Sequence, residues 1–348
     1  MTPKLRTKKN SAVTLALLAL ILAMVPLAAP AQSLDIPSHH WGLSFGNSKN
    51  FTGLRFNFRD SQVERVTGFN FTLWQPRKDN VDAKVTGISF GTIPGGSELR
   101  GINLGILGIA GRHTVAGLNV AGIGIGGGDK LTGINIAGFG MGGGKTITGI
   151  NIAGLGIGAG DNLTGINMAG LGIGAGHKMK GFNFAGLGLG AGDYLYGISF
   201  GGLGVGAGKD AIGLNVGGLG VGAGDRLIGI NVAGLGAGAG KYMAGLTVVG
   251  LAGGSTEVRG IAIAGGAVGG ERLKGLMLAG GVVHVIKGGQ LTGFAGSAFN
   301  YIRGSQTGIS IGIVNYAWSV KGLQLGLVNI VRDNPKGLKV LPILNTSF

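Results

Sequence analysis

Gly149-Ile-Asn-Ile-Ala-Gly-Leu-Gly-Ile-Gly-Ala-Gly-Asp-Asn-Leu-Thr164 is one unit of a tandem repeat, and the way its apolar residues divide between two faces decides the fold. Its opening glycine recurs at Gly117, Gly133, Gly149, Gly165, Gly181, Gly197, Gly213, Gly229 and Gly245, a constant spacing of sixteen. Looser copies open at Gly42, Gly53, Gly68, Gly87 and Gly101 before this run, and at Gly260, Gly275, Gly293, Gly308, Gly322 and Gly337 after it. Self-similarity of this extent makes almost the whole chain one repeat array. Working outward, residues 101–292 form the regular run. Residues 32–100 are irregular N-terminal repeats read as a cap, residues 293–348 a C-terminal set read as a second cap, and residues 1–31 a leader.

Within a unit, glycine at every second position from Gly154 to Gly160 would cost a helix about 1 kcal/mol each, whereas alternation and β-branched residues suit strands. The composition agrees. Of 348 residues 78 are Gly, but only 8 are Pro and the glycines do not recur every third residue, which excludes collagen. With 45% hydrophobic and 12% charged residues, there is enough apolar surface to exclude disorder. The absence of Cys removes disulfides, thiolate metal sites and cysteine nucleophiles.

The apolar alternation changes phase inside the unit: Ile150 and Ile152 share one parity, Leu155, Ile157 and Ala159 the other, and Leu163 is again out of step with Ile166. Strict period-2 geometry puts these sets on opposite faces unless the chain turns or bulges between them. Two all-β folds satisfy the pattern. The first is a Gly-rich β-solenoid with about 16 residues per coil, corners near Ala153-Gly154 and Asp161–Thr164, and all the apolar sets turned inward. The second is a transmembrane outer-membrane β-barrel with one strand per repeat and a bulge at Ala153-Gly154.

A barrel alternates up and down strands, so it should repeat over two units; a strict single-unit period favours equivalent coils. The third position favours the solenoid as well. It carries Asn103, Asn119, Asn135, Asn151, Asn167, Asn183, Asn215 and Asn231, with Ser199 and Thr247 as exceptions, and stacked in register these would form a side-chain amide ladder. Against the solenoid stands the scarcity of charge and a bare face at Gly154, Gly156 and Gly158, which would let another sheet or a lipid surface approach closely. The solenoid is the leading expectation.

The leader has the form of a secretory signal peptide. Lys4, Arg6, Lys8 and Lys9 precede an apolar stretch from Val13 to Val25, and Ala29-Pro30-Ala31 offers a cleavage site, so the mature chain is expected to begin near Gln32 and to be exported. The remaining positive excess favours envelope components such as anionic lipid or polysaccharide. Self-association is a further expectation of the bare glycine face.

Chemistry-bearing motifs are sparse. Gly142-Gly-Gly-Lys145-Thr146 lacks the first glycine of a phosphate-binding loop, because Phe139 stands there. His39, His40, His113, His177 and His284 form no metal spacing, and Asp129, Asp161, Asp193 and Asp225 read as a solvated polar edge. Basic residues are not interleaved with aromatics, so nucleic acid is not an expected partner. No catalytic residue, cofactor or metal is expected. The sequence reads as a non-enzymatic structural or adhesive scaffold, with a barrel channel or anchor as the alternative.

The last units, Gly322-Leu-Gln-Leu-Gly-Leu-Val-Asn329, Asn334-Pro-Lys-Gly337 and Leu341-Pro-Ile-Leu-Asn345, resemble the terminus of a family of exported surface-repeat proteins seen in spirochaetes and Bacteroidetes. The resemblance implies secretion and a surface or outer-membrane location in a Gram-negative cell, and carries no site residues. Phe348 also resembles the terminal aromatic of an outer-membrane sorting signal, although Pro342 and Thr346 spoil the alternation before it.

Overall fold

A computed structural model describes residues 33–347; the leader and Phe348 lie outside the described residues. All regular structure there is β. The strands wind into a solenoid of about 17 turns with ~16 residues per coil. At ~4.8 Å between stacked strands the rod is roughly 80 Å long.

Each regular coil has an eight-residue strand such as Thr146–Ala153, a two-residue turn, a four-residue strand such as Gly156–Ala159, and a second two-residue turn. Successive coils pair parallel and in register, Ile147 against Leu163, Asn151 against Asn167, Ala153 against Ala169 and Ile157 against Ile173. The turns continue the ladder, since the Leu155 N–H donates to the Phe139 carbonyl at 2.6 Å and the Asp161 N–H to the Lys145 carbonyl at 2.8 Å. A barrel of up and down strands requires antiparallel neighbours. Among the described strands, antiparallel pairs occur only at the two ends, Ser33–Ser38 with Trp41–Gly46 and Val314–Val331 with Val340–Asn345.

The interior differs from the expectation that all apolar sets turn inward. The buried residues of the coil are Ile147, Asn151, Ala153, Ile157 and Ala159, all of one parity, while Ile150, Ile152 and Leu155 are 38%, 39% and 44% exposed. Two-residue turns at Gly154-Leu155 and Gly160-Asp161, rather than at Ala153-Gly154 and Asp161–Thr164, preserve that parity around the coil. The physical reason is volume. A sixteen-residue coil encloses two large aliphatics, two alanines and one asparagine, leaving no room for Ile150, Ile152 and Leu155 as well.

Glycine occupies three kinds of position in this coil. Gly149 has φ +119°, and all twenty repeat-opening glycines share a positive φ. A Cβ at Gly149 would lie 2.0 Å from the carbonyl oxygen of Gly133 in the adjacent coil, so no other residue fits. At the turns, Cβ atoms on Gly154 and Gly160 would each lie 1.9 Å from a carbonyl oxygen below them. Gly154 therefore belongs to a corner and not to a bare face. Gly156 and Gly158 do point outward, and a Cβ on Gly158 would meet no atom within 4 Å.

Candidate functional surface

The predicted asparagines form one column inside the rod. Asn103 donates through Nδ2 to Oδ1 of Asn119 at 2.6 Å, and the pattern repeats to Asn135 (2.6 Å), Asn151 (2.7 Å), Asn167 (2.8 Å) and Asn183 (2.8 Å). Asn215 donates to Asn231 at 3.0 Å. Ser199 divides the two runs, with a long 3.5 Å bond from Asn183 and none onward to Asn215, whose Oδ1 is left without a partner. The asparagines are fully buried, so they offer nothing to a ligand. Within each run the amides bond to their own copies, which is what allows a polar side chain in a dry core, and Asn103 Oδ1, Asn215 Oδ1 and Asn231 Nδ2 are left over at the run ends.

The second polar column lies outside, at the corner that follows the short strand. In order it reads His113, Asp129, Lys145, Asp161, His177, Asp193, Lys209, Asp225, Lys241, and each residue's N–H donates to the carbonyl of the one before it. An acid alternates with Lys or His at every rung, and parallel in-register stacking sets neighbouring rungs ~4.8 Å apart, where like charges would repel. Asp129 accepts from Lys145 at 2.8 Å and pairs with His113 at 2.7 Å. The Lys145 bond, with His113 second, holds the Asp129 carboxyl down to about 2. Asp193, between Lys209 and His177, is lowered in the same way. One strand residue further on, Arg226 grips Asp210 through Nε at 3.0 Å and Nη2 at 2.5 Å. Sequence reading found the alternate aspartates but not their pairing, which depends on the stacking direction.

The rest of the coil, from the opening glycine through the short strand, carries no charge in the regular run. From Gly101 to Lys241, charged residues stand only in the four to five residues before an opening glycine, never in the ten residues after it. Three apolar columns stand outward there: that of Ile150, that of Ile152, and that of Leu155 at the corner. Beside the Leu155 column runs the outward face of the short strands, bare at Gly156 and Gly158. Glycine in a strand costs roughly 0.5–1 kcal/mol relative to alanine, and neither backbone conformation nor crowding requires it at Gly158. A continuous apolar side of this length far exceeds the few hundred Å² that a monomer ordinarily exposes.

The ends depart from the middle. In the N-terminal coils the Ile152 column is aromatic, with Phe45, Phe56, Phe71 and Phe90 stacked at centroid distances of 5.6, 6.1 and 5.5 Å. Inside, the asparagine column becomes Arg55, fully buried, with Nη1 on Asp60 at 2.7 Å and on Asn70 at 2.7 Å, and Nη2 on Asn47 at 3.1 Å. At the C-terminal end a different inward column, that of Ile157, turns into Asn300 and Asn315, which bond onward to Asn329 at 2.7 Å. Neither feature was read from the sequence, because each lies outside the regular spacing. An open apolar groove of ≈ 600 Å³ lies near this end, lined by Ala298, Ile313, Leu327 and Ile343 among others. No group of three or more potential metal ligands occurs among the described residues. Comparison with protein-family models, with curated proteins and with solved structures found no match.

Proposed function

We propose that this protein is an exported, non-enzymatic scaffold of the bacterial cell envelope or surface, a stiff rod that presents one long uncharged side for structural or adhesive contact. The observation that carries the reading is the segregation of sides. Charge is confined to the corner after the short strand and the start of the long strand, and the rest of the regular coil is aliphatic or bare. Because the surface repeats at each turn, any contact made by one coil is available to the next, so weak contacts add along the rod. The leader supports export, and the C-terminal resemblance supports a surface address.

The test is cell fractionation with carbonate extraction, combined with small-angle scattering of the purified chain. The expected result is envelope-associated protein processed near Gln32, released by carbonate, and scattering as a rod roughly 80 Å long. Protein retained in the cytoplasm with its leader uncut would overturn the reading. So would carbonate-resistant, heat-modifiable protein, which is the behaviour of a barrel.

A further inference from the structure

Two features of the uncharged side begin and end together. A ridge of large apolar side chains follows the corner from Leu107 through Phe139 and Leu155 to Leu251, each rung hydrogen-bonded to the last. Phe139, Leu155 and Leu251 are 56%, 44% and 59% exposed. Directly beside it, a trough of outward glycines runs from Gly108 to Gly254, with Ala110 and Ala252 as the exceptions at its two ends. Beyond Leu251 the ridge drops to Gly266 and Gly281. The trough is still bare in the first of these coils, at Ala267 and Gly269, and then fills, with Val282 and Phe299 in one of its columns and His284 and Tyr301 in the other. Large side chains return to the corner at Ile313 and Leu327, beside a trough now occupied by Val314 and Tyr316. The bare trough thus matches the unbroken ridge to within one coil.

We propose that two copies of this chain pair side by side, the ridge of each lying in the glycine trough of the other. A ridge next to a trough of the same length is self-complementary under a two-fold axis, the requirement for a closed homodimer. It also accounts for glycine at positions where the isolated chain has no need of it: a Cβ at Gly158, Gly174, Gly206 or Gly222 meets nothing within 4 Å in one copy, and would meet the partner's ridge. The area suffices. About ten rungs at ~4.8 Å, over a width of roughly 15–20 Å, give on the order of 800 Å² per copy, that of a standard stable interface. A lipid surface would gain from larger apolar side chains in the trough, and a polysaccharide would need polar ones. A second copy is the partner that uses bare backbone. The inference rests on the uncharged side being the contact side, and a monomeric rod that still fractionates with the envelope would sink the pairing while leaving the scaffold reading intact.

The test is sedimentation equilibrium and small-angle scattering of the full chain after leader removal. The expected result is a dimer of unchanged length and about twice the cross-section. The variant Gly158→Val, Gly174→Val, Gly206→Val, Gly222→Val fills the trough with residues that suit a strand. It should fold and melt at or above the wild-type temperature, yet associate at least tenfold more weakly. Leu155→Ala, Leu171→Ala, Leu203→Ala should weaken pairing to a similar degree by lowering the ridge. A wild-type chain that stays monomeric at all soluble concentrations overturns the proposal, including one that binds phosphatidylglycerol vesicles as a monomer. A trough-filled variant that pairs as tightly as wild type overturns it equally.

Discussion

The same inward column is built in two ways along the rod. In the regular coils it holds asparagine, whose amide is both donor and acceptor, so each rung satisfies the next and the pattern can propagate without limit. Among the N-terminal coils it holds Arg55, which donates only and cannot bond to a copy of itself. The guanidinium therefore draws its acceptors from elsewhere: Asp60 from the segment after its own strand, Asn70 from the next coil, and Asn47 from the turn before. Asp60 in turn accepts from Asn57 at 2.7 Å and Thr72 at 2.9 Å. A self-complementary side chain permits a repeat; a one-sided one demands an irregular coil around it.

That difference makes the N-terminal network the more fragile of the two. Asp60→Ala leaves the buried Arg55 cation without its carboxylate, at a cost of about 3–5 kcal/mol. Hydrogen exchange should show protection lost in residues 41–91 and retained in the central coils. The double variant Arg55→Met, Asp60→Leu should recover part of the loss, since it removes the unpaired buried cation although Asn57, Asn70 and Thr72 lose partners. An Asp60→Ala protein as stable as wild type in urea would show that the network does not hold these coils.

In the central ladder one substitution strands two partners. Asn151→Leu leaves Asn135 Nδ2 and Asn167 Oδ1 buried without their bonds, about 2–4 kcal/mol in sum. The neighbouring Ile152→Thr, on the outer face of the same strand, should change stability by less than about 0.5 kcal/mol. Equal costs at the two positions would contradict the inward parity. The ladder can also be sharpened. Ser199→Asn would join the two runs and give Asn215 Oδ1 a donor, so it should stabilise the rod by about 1 kcal/mol. A lowered melting temperature would mean that Ser199 relieves some crowding in that rung.

The repeat, its strand character and its glycine register were legible because they depend on spacing alone. Every glycine that opens a unit has the positive φ that excludes other residues. The asparagine ladder could be anticipated because stacking equivalent units in register puts position three of every unit in one column. Which face that is could not be read from hydrophobicity. Ile152 is larger and more apolar than Ala153, yet Ala153 is buried and Ile152 is not. The choice is made by the volume a short coil can enclose and by hydrogen bonds that Asn151 obtains only from neighbouring coils. Arg55 was illegible for the same reason: its partners come from three separate segments, and no local pattern announces a buried guanidinium.

The outer charged column gives the gentlest contrast, between a ladder in a dry core and one in water. Two of its carboxylates are held below their usual range, Asp129 at about 2 by Lys145 and Asp193 by Lys209, and Asp210 beside the column is lowered by Arg226. Such a group adds stability above its unfolded pKa, 3.8 for Asp129, and loses that contribution as pH falls through the folded value. Urea stability should therefore decline between pH about 4 and about 2. The decline should be modest, because the column is exposed, and should shrink in 1 M NaCl, where screening acts over ~3 Å. Lys145→Glu would set three acidic rungs in succession, with the new carboxylate between Asp129 and Asp161. Those neighbours repel its charged form, so acidification toward pH about 4 should now stabilise the variant relative to neutral pH. An unchanged pH profile in that variant would mean that the alternation of sign along the corner has no part in holding the coils in register, and that the amide ladder inside does so alone.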